Sequence, residues 1–367
     1  MKIECLKNKL KNIINIAEKV TAKNHSLPIL NLIILETDQK GLKIRSTNLE
    51  VGLEAQVPAK VNLEGRVAVN AQVLNQLLNF STGSEDKVTL EVKEGSLLIK
   101  SNRSETNLKV YPPDDFPLIP KVNNGVKFNL PTSNFILGIK SVIYSSATSD
   151  IKPEIASVYI YQKEDKLYFV STDSFRLAEK NINFDHSGTI PPIIIPLRNI
   201  LEIMKALEGE GGDLGVVVSE NQIAFSTDNL YLTSRVINSV FPDYKQIIPK
   251  QFKTEVDIDK EELLNNLRLS NIFTDKFNQI NFSIRPNEGV FEINSKNQEV
   301  GENKVNSKAE VKGEEVNINL NARYIIESLP SFNSSKINLS FTEKNKPLLI
   351  TSPNDPSFQY LVMPINR

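Results

Sequence analysis

The chain has 367 residues, 40% hydrophobic and 24% charged, with a formal net charge of −1. That length leaves room for two or three domains, and the composition is that of an ordinary globular protein. A net charge near zero argues against a uniformly basic nucleic-acid binder, although it does not fix where the charges sit.

The first strand alternates through Lys2-Ile3-Glu4-Cys5-Leu6. A helix follows in which Leu6, Leu10, Ile13, Ala17 and Val20 share one face, with Lys7, Asn8, Lys11, Asn12 and Asn15 directed away from it. Residues 41–46 and 95–100 alternate as strands, entered by turns at Asp38-Gln39-Lys40-Gly41 and Lys93-Glu94-Gly95. A second helix runs past Leu74. The same order restarts at Lys127-Phe128-Asn129-Leu130, with helices from 134 to about 145 and from 197 to about 207. It restarts again at Glu255-Val256-Asp257-Ile258, with helices from Glu261 and from Arg323. Ile3, Phe128 and Val256 are 125 and 128 residues apart; Leu74, Ile200 and Ile325 are 126 and 125 apart; Phe116 and Phe241 are 125 apart. A period this long marks a triplicated domain.

Each copy is expected to run β-α-β-β-β twice, an α+β arrangement of two helices packed on antiparallel sheets. The copies span 1–122, 126–250 and 254–367, with linkers near 120–125 and 249–253. The outer helix faces lean basic and polar, while strands and turns hold acids such as Glu91, Glu292 and Glu302. Three copies side by side would present one polar helical surface.

No chemistry-bearing constellation appears. Cys5 is the single cysteine, which excludes an intramolecular disulfide framework and points to a reducing, cytoplasmic setting. Apolar runs such as Ile193-Ile194-Ile195 are far short of a membrane span, and no secretory signal opens the chain. His25 and His186 lie about 160 residues apart in no metal-ligand spacing. Phosphate-loop, dinucleotide and nucleophile-elbow motifs are missing, so no metal, cofactor or catalytic residue is expected. Asp114-Asp115 and Glu261-Glu262 read as solvated acids. A hook, Thr172-Asp173-Ser174-Phe175-Arg176-Leu177, stands out in the middle copy, and it is expected there alone. A hydrolase using Asp173 would need a nucleophile or a metal. A monomeric scaffold is the other alternative.

Residues 169–178, Phe169-Val170-Ser171-Thr172-Asp173-Ser174-Phe175-Arg176-Leu177-Ala178, resemble the T-D-G-H-R-L-A strand–turn–strand of the bacterial DNA polymerase III beta subunit, the replicative sliding clamp. Ser26-Leu27-Pro28-Ile29-Leu30, Thr47-Asn48-Leu49-Glu50, Asp115-Phe116-Pro117, Phe241-Pro242-Asp243-Tyr244, Ile248-Pro249-Lys250 and the terminal Tyr360-Leu361-Val362-Met363-Pro364-Ile365 also match, in order along the chain. The resemblance implies three clamp domains per chain. Two chains would join head to tail in a six-domain ring, with helices lining a hole for duplex DNA. It implies a non-catalytic processivity factor. Its partners would be a second copy, double-stranded DNA held without sequence preference, the replicative polymerase catalytic subunit, the clamp loader and other proteins with a clamp-binding motif, and no membrane. A sliding tether should not read bases, because direct readout would create traps.

By the same resemblance, a peptide groove between the second and third domains falls on Ile155, Thr172, Asp173, Phe175, Arg176 and Leu177. Its other side falls on Pro242, Ile247, Leu361, Val362, Met363, Pro364 and Ile365. DNA-contacting positions fall on Lys23, Asn24, Ser149 and Lys152 in loops and on Gln72, Arg198 and Lys205 in helices. Ring closure would set Leu74, Leu78 and Arg103 against Ile272 and Phe273 of the partner. Departures from the pattern are specific. Asn24 replaces an arginine, and Pro153-Glu154 replaces a tyrosine pair, which leaves phosphate contact at Lys152 but removes stacking. Ser174-Phe175 stands where Gly-His is frequent, altering the groove mouth.

Overall fold

Two α-helices per repeat fold among the residues described in the computed structural model, which are 1–22, 27–80, 87–101, 104–343 and 345–365. They are α1 (Lys7–Val20) and α2 (Ala71–Phe80), α3 (Thr132–Val142) and α4 (Leu197–Leu207), and α5 (Lys260–Asn271) and α6 (Ala322–Ser328). Lys23, Asn24 and Arg103 lie outside the described residues.

The repeat survives as equivalent pairing. Ile3 pairs with Leu90, Phe128 with Val216 and Val256 with Leu339, each across an antiparallel ladder. Leu74, Ile200 and Ile325 are each the fourth residue of a second helix, and each is fully buried. In α1 the buried face is Leu10, Ile13, Ile14, Ala17 and Val20, joined by Lys7, which the sequence reading directed outward. The spacing 7, 10, 14, 17 is itself helical, so the Lys7 stem lies along the apolar face. Leu6 instead ends the first strand and is 41% exposed. The Cys5 thiol is packed in the core, and burial pushes it up to about 12, which keeps it an unreactive thiol.

The expected strand order holds in the middle repeat. The first and third repeats each add a strand, Ala59–Leu63 and Ala309–Gly313, that flanks the repeat's first strand. Sheets also run beyond one repeat. The contact-dense bodies are two: Met1–Ser133 with Arg198–Asn238, and Asn134–Leu197 with Ser239–Arg367. In the first body a thirteen-stranded sheet joins the middle repeat to the first through Leu230–Arg235 against Val51–Val57. In the second, a nine-stranded sheet joins the middle repeat to the third through Arg176–Asn183 against Asp355–Val362. A separate four-stranded sheet completes the third repeat. Each body therefore holds one and a half repeats. Turn chemistry sets register: Glu94 and Gly95 both take positive φ (47° and 75°), the two-residue hairpin whose twist matches its strands.

Candidate functional site

In the second body the hook is a hydrogen-bonded turn between Lys166–Thr172 and Arg176–Asn183. Thr172 Oγ1 donates to the Arg176 carbonyl at 2.7 Å and accepts from Ser174 N at 3.1 Å. Asp173 Oδ1 accepts from the N–H groups of Phe175 and Arg176 at 2.9 and 3.0 Å. Ser174 takes φ 76°, a left-handed position that most side chains resist and that this turn holds by side-chain caps.

The turn fixes Arg176. Its Nε donates to Asp173 Oδ2 at 2.9 Å, its Nη1 donates to Glu327 Oε2 at 2.5 Å, and its guanidinium lies 4.4 Å from the Tyr324 ring centre. Burial would raise the Glu327 carboxyl, but hydrogen bonds from Arg176 and Arg323 reverse this and hold it below the usual range. An arginine so tied is a fixed fork. Tyr324 and Glu327, both on α6, were not singled out in the sequence. The local signal there is only an arginine and a glutamate one helical turn apart, Arg323 and Glu327.

The chain's last strand joins the hook. Val362 pairs with Arg176 and Leu361 with Leu177, and Met363 N donates to the Phe175 carbonyl at 2.8 Å. Ile365 N donates to the Asn319 carbonyl at 2.8 Å. Leu177, Leu361, Val362, Thr172 and Ile155 are buried, while Asp173, Met363, Pro364 and Ile365 are half-buried. Phe175 is 62% exposed and Ile247 48%, and Pro242, five residues before Ile247, is exposed as well. The loop carrying Ile155 is pinned next to Thr172 by Ser146 Oγ donating to Ser171 Oγ at 3.0 Å. Pro242 and Ile247 reach the Arg176–Asn183 strand through Tyr244, whose hydroxyl donates to Glu179. The surface thus combines an apolar buried base, apolar rim groups and one oriented cation, which suits an apolar peptide anchor.

The expectation that the hook occurs once is wrong. In the first body, Thr47 Oγ1 donates to the Val51 carbonyl at 2.8 Å, Asn48 Oδ1 accepts from Glu50 N and Val51 N at 3.0 and 2.7 Å, and Leu49 takes the same φ of 76°. Arg235 N donates to the Glu50 carbonyl at 3.0 Å, as Met363 does to Phe175. The backbone is a true repeat, and the side chains are what differ. Val51 stands for Arg176 and Gly52 for Leu177. A Cβ on Gly52 would lie 2.8 Å from Ile119 Cγ2, so that place is already filled. Asn48 Nδ2 donates to Glu202 Oε2 at 2.9 Å, and Glu202 sits 125 residues before Glu327.

Glu202 lies on α4 with Arg198 and Lys205. Burial pushes its carboxyl from 4.5 up to about 7, opposed by Asn48, Arg198 and Lys205. A raised carboxyl binds more protons folded than unfolded between those values. Its contribution to stability therefore falls as pH rises from about 4.5 to about 7 and stays lowered above. Glu202→Gln should melt higher than the parent at pH 8 and close to it at pH 5, by calorimetry at both pH values. Equal melting differences at both pH values would contradict this.

The remaining assignments separate. Gln72, Arg198 and Lys205 are exposed on helices of the first body, and Ser149 and Lys152 on a loop of the second. Leu74 is fully buried in its own body and cannot form an outer edge. Leu78 is 2% exposed but lines a groove of about 370 Å³ with Val73, Leu77 and Phe80, the last 84% exposed. Apolar periodicity alone does not separate core from rim. In the second body Ile272 is 62% exposed and Phe273 half-buried. No group of three or more His, Cys, Asp or Glu side chains that could hold a metal occurs among the described residues.

Family models of the DNA polymerase III beta subunit match this chain three times: the N-terminal domain over 1–120, the central domain over 129–243 and the C-terminal domain over 245–366. The beta sliding clamps of Synechococcus elongatus and Bacillus subtilis are each 25% identical, over 100% of this chain and 99% of the relative. The crystal structure of the Thermotoga maritima DNA polymerase III beta subunit superposes with a TM-score of 0.93 at 25% identity, over 100% of this chain and 99% of that one. A Pseudomonas aeruginosa sliding clamp bound to griselimycin has the same fold, with a TM-score of 0.93 at 23% identity and both chains fully covered. The chain belongs to the DNA polymerase III beta subunit family, the non-catalytic sliding clamps of DNA replication.

Proposed function

We propose that two copies close head to tail around duplex DNA, and that the Arg176 groove tethers the replicative polymerase, the clamp loader and other proteins through a short peptide. The observation that carries the tether is the contrast between the two hooks. One backbone turn is built twice, yet only the second copy has an oriented arginine, a leucine base and exposed Phe175 and Ile247 at its rim. A peptide ending in apolar anchors fits that surface.

Ring closure is supported by two strand edges. Among the described residues, 105–109 of Glu105–Tyr111 pair on one side only, with Ser96–Lys100. Gly301–Ser307 ends the four-stranded sheet. Unpaired edges are templates for another chain. Exposed apolar groups lie beside both: Val73 and Phe80 share a groove with Thr106, and Leu269 and Ile272 are at the end of α5, which packs on Gly301–Ser307, with Val300 just before that strand. By the resemblance the lining falls on Gln72, Arg198, Lys205, Ser149, Lys152, Lys23 and Asn24. These groups bind phosphates and carry no base code. The setting is the cytoplasm, where replication proceeds; no helix among the described residues is long and apolar enough to cross a membrane.

Native mass spectrometry tests closure. The expected species is twice 41.2 kDa, and Ile272→Asp is expected to shift it to the single-chain mass. A single-chain mass for the parent at micromolar concentration would favour a monomeric scaffold instead.

A further inference from the structure

The groove's Pro242–Ile247 side is held by a directed hydrogen-bond relay. Tyr161 and Tyr244 hydroxyls lie 2.8 Å apart, and the Tyr244 hydroxyl also meets Glu179 Oε2. A phenol has one proton to give. Because a carboxylate only accepts, Tyr244 donates to Glu179, and Tyr161 must therefore donate to Tyr244. Gln359 Nε2 completes the set, donating to Glu179 Oε1 at 2.7 Å from the neighbouring strand. Burial and the Glu179 carboxylate hold the Tyr244 phenol far above its ordinary value, so the donor persists at any physiological pH.

The surroundings fix the same turn from a second direction. Phe241 stacks on Tyr159 with ring centres 4.6 Å apart and planes 8° apart; Tyr159 stacks on Tyr161 at 5.1 Å, and Tyr161 on Tyr168 at 4.9 Å. Lys245 Nζ lies 5.0 Å from the Tyr161 ring centre. Glu179 is 7% exposed and stands three residues beyond Arg176 on one strand. A buried carboxylate held by a phenol and an amide is costly to keep, and costlier if a donor is lost.

We propose that Tyr244 is a positioning residue for peptide docking: through Glu179 it sets the Pro242–Ile247 wall against the strand that carries Arg176 and Leu177. This rests on the peptide-groove reading above. It predicts that peptide affinity depends on a hydroxyl that no peptide touches.

The test uses the full-length protein and a fluorescein-labelled peptide from the clamp-binding segment of a replicative polymerase, read by anisotropy and stopped flow. Tyr244→Phe should weaken binding about tenfold, mainly through faster dissociation. Ile247→Ala removes the wall group that Tyr244 positions. In that background Tyr244→Phe should have little further effect, whereas with Arg176→Lys its effect should persist in full. Glu179→Gln should retain affinity, because an amide oxygen still accepts from Tyr244, and Glu179→Leu should not. If the parent fails to bind the peptide, the groove reading falls. If the parent binds and Tyr244→Phe matches it, or weakens binding equally with and without Ile247, the positioning role falls.

Discussion

Arg176→Ala should abolish measurable peptide binding and also cost about 2–3 kcal/mol of stability in the second body. The guanidinium is shared by Asp173 and Glu327, whose side chains are only 15% and 28% exposed, and it covers the Tyr324 ring. Its loss leaves Asp173 Oδ2 without its cation and Glu327 with Arg323 alone, in a partly dry site. Arg176→Lys keeps the charge but not the planar fork, so it should recover stability better than affinity. Urea unfolding and anisotropy on the same samples separate the two effects. Peptide affinity within twofold of the parent for Arg176→Ala would remove this residue from the groove.

Deleting residues 363–367 is expected to lower peptide affinity at least a hundredfold while the dimer persists. The truncated chain ends at Val362, which keeps the pairing of Val362 with Arg176 and of Leu361 with Leu177. It loses Met363, whose N–H bonds the Phe175 carbonyl, and Ile365, whose N–H bonds Asn319. Met363 matters by its chemistry as well: an unbranched thioether repacks around different anchors. The edges proposed for ring closure lie on other elements, so native mass should fall only by the missing residues. Undiminished affinity would refute the tail's part in the groove, and loss of the dimer would mean that the tail supports the fold more widely.

What was legible in the sequence depended on the range of the interaction. The helices and first strands were visible because Leu74, Ile200 and Ile325, or Ile3, Phe128 and Val256, are buried on local periodic faces. The hook was visible because Thr172 and Asp173 cap within four residues. Glu327 was not, since it meets Arg176 across 151 residues. Its repeat-mate Glu202 is a pointer available only after the two turns are superposed. The added strands Ala59–Leu63 and Ala309–Gly313 escaped for a different reason: both are edge strands with the same mostly exposed pattern, so neither shows a buried alternation. Lys7 and Leu74 show the converse, where helical spacing located a face without telling what covers it.

Topological retention on DNA tests the central claim most directly. Protein loaded by a clamp loader on a nicked circle should stay bound in high salt through gel filtration, because a closed ring needs no strong contact to remain. Cutting the circle once should release it, as the ring slides off the ends. Equal retention on circular and linear DNA, or none on the circle, would contradict an encircling clamp.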